Sequence, residues 1–298
     1  VGVLLGLSAA LFWGTSDFCA ASVARKLGAM RAILWTQSVG FLAIGALLFF
    51  QKSWPQPAPG VLPVMLGIGV AQAAGVFLFY RAFEIGKLST VAPITSGFAV
   101  VTAILAILSG DRPGPFALAG ALLLIGGVFF ITRYAAIENS ENPEEPRAAL
   151  RGVPEAILAA FAYGGVFWAL DSVVPSLGPV WPLAALRVFT LLILSSVLLV
   201  MRFRRVKRGD EIAEEKPDWK SKNLLWMVLA VAFSDTLAWI SFNAGTQGAN
   251  VAIVTALGSL YSAVAVFYGC IFWHERLQKW QWLGVGLILL GVLLVGFK

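Results

Sequence analysis

Trp13 and Asp17 lie four residues apart in an apolar run from Gly2 to Ala24, so a helix carries indole and carboxylate on one face. Asp235 and Trp239 repeat the spacing in reverse order, and Trp168 precedes Asp171 by three residues in another apolar run. A carboxylate beside an indole face suits an organic cation, through charge pairing and cation–π attraction. Interfacial tryptophans would produce the same spacings without a ligand. An Asp inside an apolar span costs ~2.5–3.5 kcal/mol. Asp17 therefore either reaches interfacial water or a neighbouring helix, or it faces an internal cavity that binds a solute. Asp171 is the weakest of the three acids, because Pro175 ends its helix close by.

Arg187 is the one base well inside an apolar run. It either balances Asp17, Asp171 or Asp235, or it takes a substrate carboxylate bidentately. Gln37 and Gln72 offer donors and acceptors, to line a cavity or to hold helices together. Tyr80 and Arg81 stand near a segment end, where interfacial anchors are expected. The sequence holds no nucleophile elbow, phosphate loop or metal-ligand spacing. No catalytic, metal or cofactor site is expected, although coupling to a proton or ion is compatible with the buried acids. Cys19 and Cys270 lie in apolar runs and read as packing residues, and His274 is the single histidine.

The elements that must position these residues are membrane helices. The 298 residues are 59% hydrophobic and 13% charged, with a mean hydropathy of +0.83, against about 25% charged in soluble domains. Ten apolar segments are read at about 2–24, 32–50, 61–82, 88–108, 115–133, 152–174, 180–201, 223–243, 249–272 and 280–297. Each has the length to cross about 30 Å of hydrocarbon. Residues 134–151 and 202–222 read as charged, solvated linkers. The net charge of +6 belongs to loops and sets orientation; nothing forms a nucleic-acid footprint.

The halves repeat. Trp13-Gly14 precedes Tyr163-Gly164 by 150 residues, Ala82 precedes Ala244 by 162, and Gly120 precedes Gly284 by 164. The chain divides into residues 1–133, a linker 134–151, and residues 152–298. Five helices per half make the second copy enter the membrane in the opposite sense, which places a solute between the halves. Segments five and ten are nearly free of polar side chains and read as peripheral scaffold, packed through small residues. The fourth segment, Ser89-Thr90-Val91-Ala92-Pro93-Ile94-Thr95-Ser96-Gly97, carries a helix break at Pro93 with hydroxyls to meet freed carbonyls. Its counterpart runs from Val251 to Ser259, with Tyr261 beyond it.

Leu11-Phe12-Trp13-Gly14, Ala244-Gly245 and the ending His274-Glu275-Arg276-Leu277 followed by Trp282-Leu283-Gly284 resemble the drug/metabolite transporter superfamily, EamA-like type. The resemblance spans nearly the whole chain. It implies an all-α integral membrane fold of ten transmembrane helices in two inverted five-helix repeats, a central cavity, and export of small metabolites in many members. The proline that many members carry in helices four and nine is replaced near Ala99 and Ser262. Orientation is a second departure. Eighteen of the 22 Lys and Arg fall in loops after odd-numbered segments, against Lys52, Arg112 and Lys298 on the other side. The charge rule places the termini outside, whereas the family usually holds them in the cytoplasm.

The expectation is a secondary transporter, an exporter in the sense of the family, in a bacterial inner membrane. Its solute is a small organic amine or amino acid, cationic or zwitterionic, held by Trp13, Asp17, Gln72, Thr95, Trp168, Asp171, Asp235, Trp239 and Tyr261, with Arg187 balancing charge. The lipid bilayer is its other partner, and the chain acts as monomer or homodimer. The competing readings are a same-fold carrier of a neutral solute with structural acids, and a non-transporting membrane scaffold or sensor.

Overall fold

A computed structural model describes residues 2–50, 55, 59–110, 114–137, 150–178, 180–208, 222–248, 254 and 257–295. The helices are α1 (Gly2–Leu27), α2 (Ala29–Phe50), α3 (Val61–Ile85), α4 (Leu88–Thr95), α5 (Phe98–Leu108) and α6 (Pro115–Ile137) in the first half. The second half has α7 (Val153–Asp171), α8 (Val174–Leu177), α9 (Trp181–Arg208), α10 (Lys222–Gly248), α11 (Tyr261–Phe272) and α12 (Lys279–Val295). Among the described residues there is no strand. Seven stretches are long and apolar enough to cross a bilayer, and Leu122–Ile131, Tyr261–Phe272 and Lys279–Leu294 are shorter apolar helices. Every apolar run read from the sequence therefore contains helix. Helices meet their own backbone hydrogen bonds, which hydrocarbon demands. Leu42 and Leu122 are 70% and 71% exposed and point outward, where acyl chains replace water.

Several boundaries differ from the sequence reading. The run at 88–108 is two helices, α4 and α5, joined at Ser96 and Gly97. Pro93 lies one turn before the join, and Ser96 Oγ donates to the Pro93 carbonyl at 2.6 Å. Residues 202–208, read as linker, continue α9, because Arg and Lys are good helix formers and favour a C-terminal turn. Residues 134–137 likewise continue α6. The rest of the two charged linkers, residues 138–149 and 209–221, lies outside the described residues, as do 251–253, 255 and 256.

Packing follows an exchange of halves. The first helix of one half lies on the third of the other: α1 packs on α10, and α3 on α7. The broken segments follow the same rule, with α11 against α1 and α5 against α7. α2 meets α10 as α9 meets α3. Close approaches require glycine on both sides. A Cβ on Gly14 would stand 2.5 Å from Val264 Cβ, and one on Gly164 would stand 2.4 Å from Val101 Cβ. Away from this centre α6 packs on α12, where a Cβ on Gly127 would meet the Gly284 carbonyl at 2.6 Å and one on Gly284 the Gly127 carbonyl at 2.8 Å. Backbones in van der Waals contact supply the dispersion that holds membrane helices together.

One end of the bundle is closed by charge. Arg25, in the last turn of α1, donates to the carbonyls of Phe83 and Gly86 at 3.2 and 2.8 Å and lies 4.0 Å from the centre of the Trp273 ring. Its guanidinium is 3.6 Å from Glu275. Glu275 in turn accepts from the first two N–H groups of α4, Leu88 at 3.2 Å and Ser89 at 2.9 Å. These N–H groups have no intrahelical partner, and the helix dipole favours an anion beside them. His274, left-handed at φ 53°, turns the chain after α11 so that Glu275 reaches α4.

Candidate functional site

Helices of both halves converge on one cavity. It has a volume of about 90 Å³ measured over the positions open to a water centre. One water needs roughly 10–15 Å³ on that measure, so the space holds several waters or one small solute. α1 contributes Trp13, Ser16 and Asp17, α3 contributes Gln72 and Tyr80, and α10 contributes Asp235 and Trp239. Arg187 comes from α9, Tyr163 and Phe167 from α7, and Phe98 and Tyr261 from the first turns of α5 and α11.

The broken helices explain the last pair. Ending α4 at Thr95 and restarting at Phe98 sets Phe98 at a helix start facing the centre, and Tyr261 holds the equivalent place 163 residues later. Other lining residues are paired in the same way. Trp13 matches Tyr163, Asp17 matches Phe167 and Gln37 matches Arg187 at a separation of 150, while Gln72 matches Asp235 at 163. The repeats thus supply equivalent positions with different chemistry. In each charged pair one copy is ionisable and the other neutral.

Two walls emerge. The aromatic wall is continuous: Phe98 stacks on Phe167 at 4.6 Å between ring centres, Phe167 on Trp239 at 5.2 Å, and Trp13 meets Trp239 edge-on at 5.5 Å. Offset and edge-on contacts of this kind contribute about 0.5–1.5 kcal/mol each beyond burial. The polar wall is centred on Arg187, which is 2% exposed. Its Nη2 donates to Asp235 Oδ2 at 2.8 Å and to Thr236 Oγ1 at 2.9 Å. The Nη1 end of the guanidinium occupies the space over Gly40, where an added Cβ would fall 1.2 Å from Nη1. Trp13 and Trp239 line the cavity beside Asp235. Asp17 is 6% exposed, and its Oδ2 has no hydrogen-bond partner among the described residues. Gln72 Oε1 is likewise buried and unpartnered.

Most of the residues singled out in the sequence meet here, two do not, and the side chain of a third lies outside the described residues. Trp168 is 41% exposed on the outer side of α7, and its neighbour Phe167 takes the place in the cavity. A helix turns 100° per residue, so only one of two successive aromatics can face inward. Thr95 is buried behind the lining and donates to the carbonyls of Val91 and Ala92 at 3.1 and 2.9 Å, meeting backbone beside Pro93. Asp171 closes α7, and its side chain lies outside the described residues. Tyr80, read as an interfacial anchor, is a cavity residue bonded to Thr36 at 3.1 Å, because α3 runs on to Ile85. Tyr163, Phe167 and Phe98 were missed as lining. The repeat offset was the signal that could have found them, as the mates of Trp13, Asp17 and Tyr261. Among the described residues no group of His, Cys, Asp and Glu could hold a metal ion.

The arrangement sets aromatic rings and two carboxylates around one small cavity. The sequence profile of the EamA-like transporter family matches residues 1–133 and 150–297. A solved structure described only as "Crystal structure of protein" is similar in fold, with a TM-score of 0.63 at 15% identity, over 98% of this chain and 95% of that one. No curated protein matches with significance. With both halves matched by one profile and the long apolar helices in place, the chain belongs to the EamA-like transporter family of the drug/metabolite superfamily, and it is an integral membrane transporter.

Proposed function

We propose that the protein is a secondary transporter of a small organic cation or zwitterion, an amine or amino acid, working by alternating access about the central cavity. The observation that carries this reading is the cavity's composition. It sets two carboxylates, Asp17 and Asp235, against one guanidinium, inside a wall of Trp and Phe rings. An anionic solute would need a buried base beyond Arg187, whose charge is met by Asp235 at 2.8 Å. The exchange-related packing of the two halves supports a rocking motion of one half against the other. The central location of the cavity fits a solute site reached from either side in turn. Export from a bacterial cytoplasm is the direction that accords with the family.

A thermal-shift screen of the purified protein against amino acids, amines, quaternary amines and sugars tests this reading, since a ligand that binds only the folded state raises apparent stability. Stabilisation by amines or amino acids, lost in Asp17→Asn, is expected. Stabilisation by neutral sugars alone, unchanged in that variant, would make the carboxylates structural and overturn the proposal.

A further inference from the structure

The two cavity carboxylates are not equivalent. Asp235 is paired: Arg187 donates to its Oδ2 at 2.8 Å. Arg187 in its turn is committed to Asp235 and Thr236 and is fixed in place over Gly40. Asp17 lies on the other half of the molecule, and its buried Oδ2 has no partner. The Oε1 of Gln72, which lines the same cavity, is the second acceptor in that state. Two buried acceptors without donors form a site that is complete only when N–H groups are brought to it, because unmet buried acceptors carry a desolvation cost.

That pattern separates solutes that charge alone would not. A quaternary ammonium matches the charge and the aromatic wall but has no N–H to give to Asp17 and Gln72. A zwitterion brings a carboxylate into a cavity whose one guanidinium is already engaged. Resting on the carrier reading above, we infer that the solute is an organic amine bearing N–H groups and no carboxylate, and that its ammonium donates to Asp17 Oδ2 and Gln72 Oε1. Asp235 holds Arg187 in place and does not take the solute.

Isothermal titration calorimetry on the full chain in nanodiscs tests this with four probes of one ring size: 2-phenylethylamine, its N,N,N-trimethyl derivative, phenylalanine and 2-phenylethanol. The primary amine is expected to bind at least ~10-fold more tightly than each of the other three, the factor that one unmet buried acceptor produces. Asp17→Asn abolishes the preference for the amine. Gln72→Met reduces it by a smaller factor. Asp235→Asn releases Arg187 and moves selectivity toward phenylalanine. Equal or tighter binding of the trimethyl derivative or phenylalanine by the unaltered protein overturns the assignment of N–H recognition while leaving an organic-cation or amino-acid carrier standing. Absence of binding by all four probes, together with no stabilisation by any amine or amino acid in the wider screen, overturns both. The comparison among probes needs no variant, so a misfolded Asp17→Asn protein does not spare the proposal.

Discussion

Replacing Arg187 by Met removes a guanidinium that is 2% exposed and donates to Asp235 and Thr236 at 2.8 and 2.9 Å. The Asp235 carboxylate, 23% exposed, then loses its charged donor. Stranding one member of a buried pair costs about 3–5 kcal/mol. The partial exposure of Asp235 puts this single change at the lower end, about 3 kcal/mol. At about 2–4 °C per kcal/mol for a chain of this size, the apparent Tm falls by roughly 6–12 °C. Asp235→Asn strands the more deeply buried Arg187 and costs at least as much. The double variant removes both charges and lies within about 1 kcal/mol of the parent, because an ion pair of this kind contributes little net stability over apolar replacements. The two single effects therefore fail to add by about 5 kcal/mol or more. Thermal unfolding of all four proteins in one detergent, followed by tryptophan fluorescence, gives the cycle. A double variant destabilised by the sum of the singles would refute the pairing.

Gly40→Ala should mimic the loss of Arg187, since its Cβ would fall 1.2 Å from Nη1; a Tm unchanged from the parent would contradict that packing. Phe167→Ala should weaken solute binding at least ~10-fold by removing one ring of the stack, while Trp168→Ala on the outer side leaves it unchanged; calorimetry with any ligand found in the screen compares them, and the reverse order would misplace the α7 face. Gly284→Ala pushes a methyl against the Gly127 carbonyl at 2.8 Å, and overpacking costs about 1–3 kcal/mol, so its Tm falls without a change in ligand selectivity. Glu275→Gln keeps the shape but removes the charge at the α4 N-terminus and beside Arg25. A loss of about 1–2 kcal/mol is expected, read as a lower Tm, and salt should reduce the difference.

Much of this was legible in the sequence, because membrane helices declare themselves by uninterrupted apolar length. The same constraint made Asp17, Asp235 and Arg187 conspicuous, as charge in hydrocarbon is rare without purpose. Spacing alone could not say which acid pairs with Arg187. That depends on how α9 and α10 are each set against α2 and on the space left by Gly40, which are properties of packing. Trp168 shows the limit of composition: a tryptophan three residues from an acid looked like a cage wall, yet one step of helical rotation turned it outward and brought in Phe167. Tyr80 was misplaced for a related reason, since its distance from the segment end was taken from hydropathy while α3 extends to Ile85. The repeat held more information than the motifs. Applied position by position, it pairs Gln37 with Arg187 and Gln72 with Asp235 and outlines the cavity without coordinates.

The central claim is that solute crosses the membrane through the Asp17 cavity. Counterflow into proteoliposomes tests it most directly. Vesicles loaded with unlabelled amine or amino acid are diluted into the labelled compound, so exchange is seen whatever ion is coupled. Transient accumulation of label with the parent protein, abolished in Asp17→Asn at equal reconstitution, is the predicted result. No accumulation for any amine or amino acid, or accumulation that Asp17→Asn leaves intact, would contradict the account.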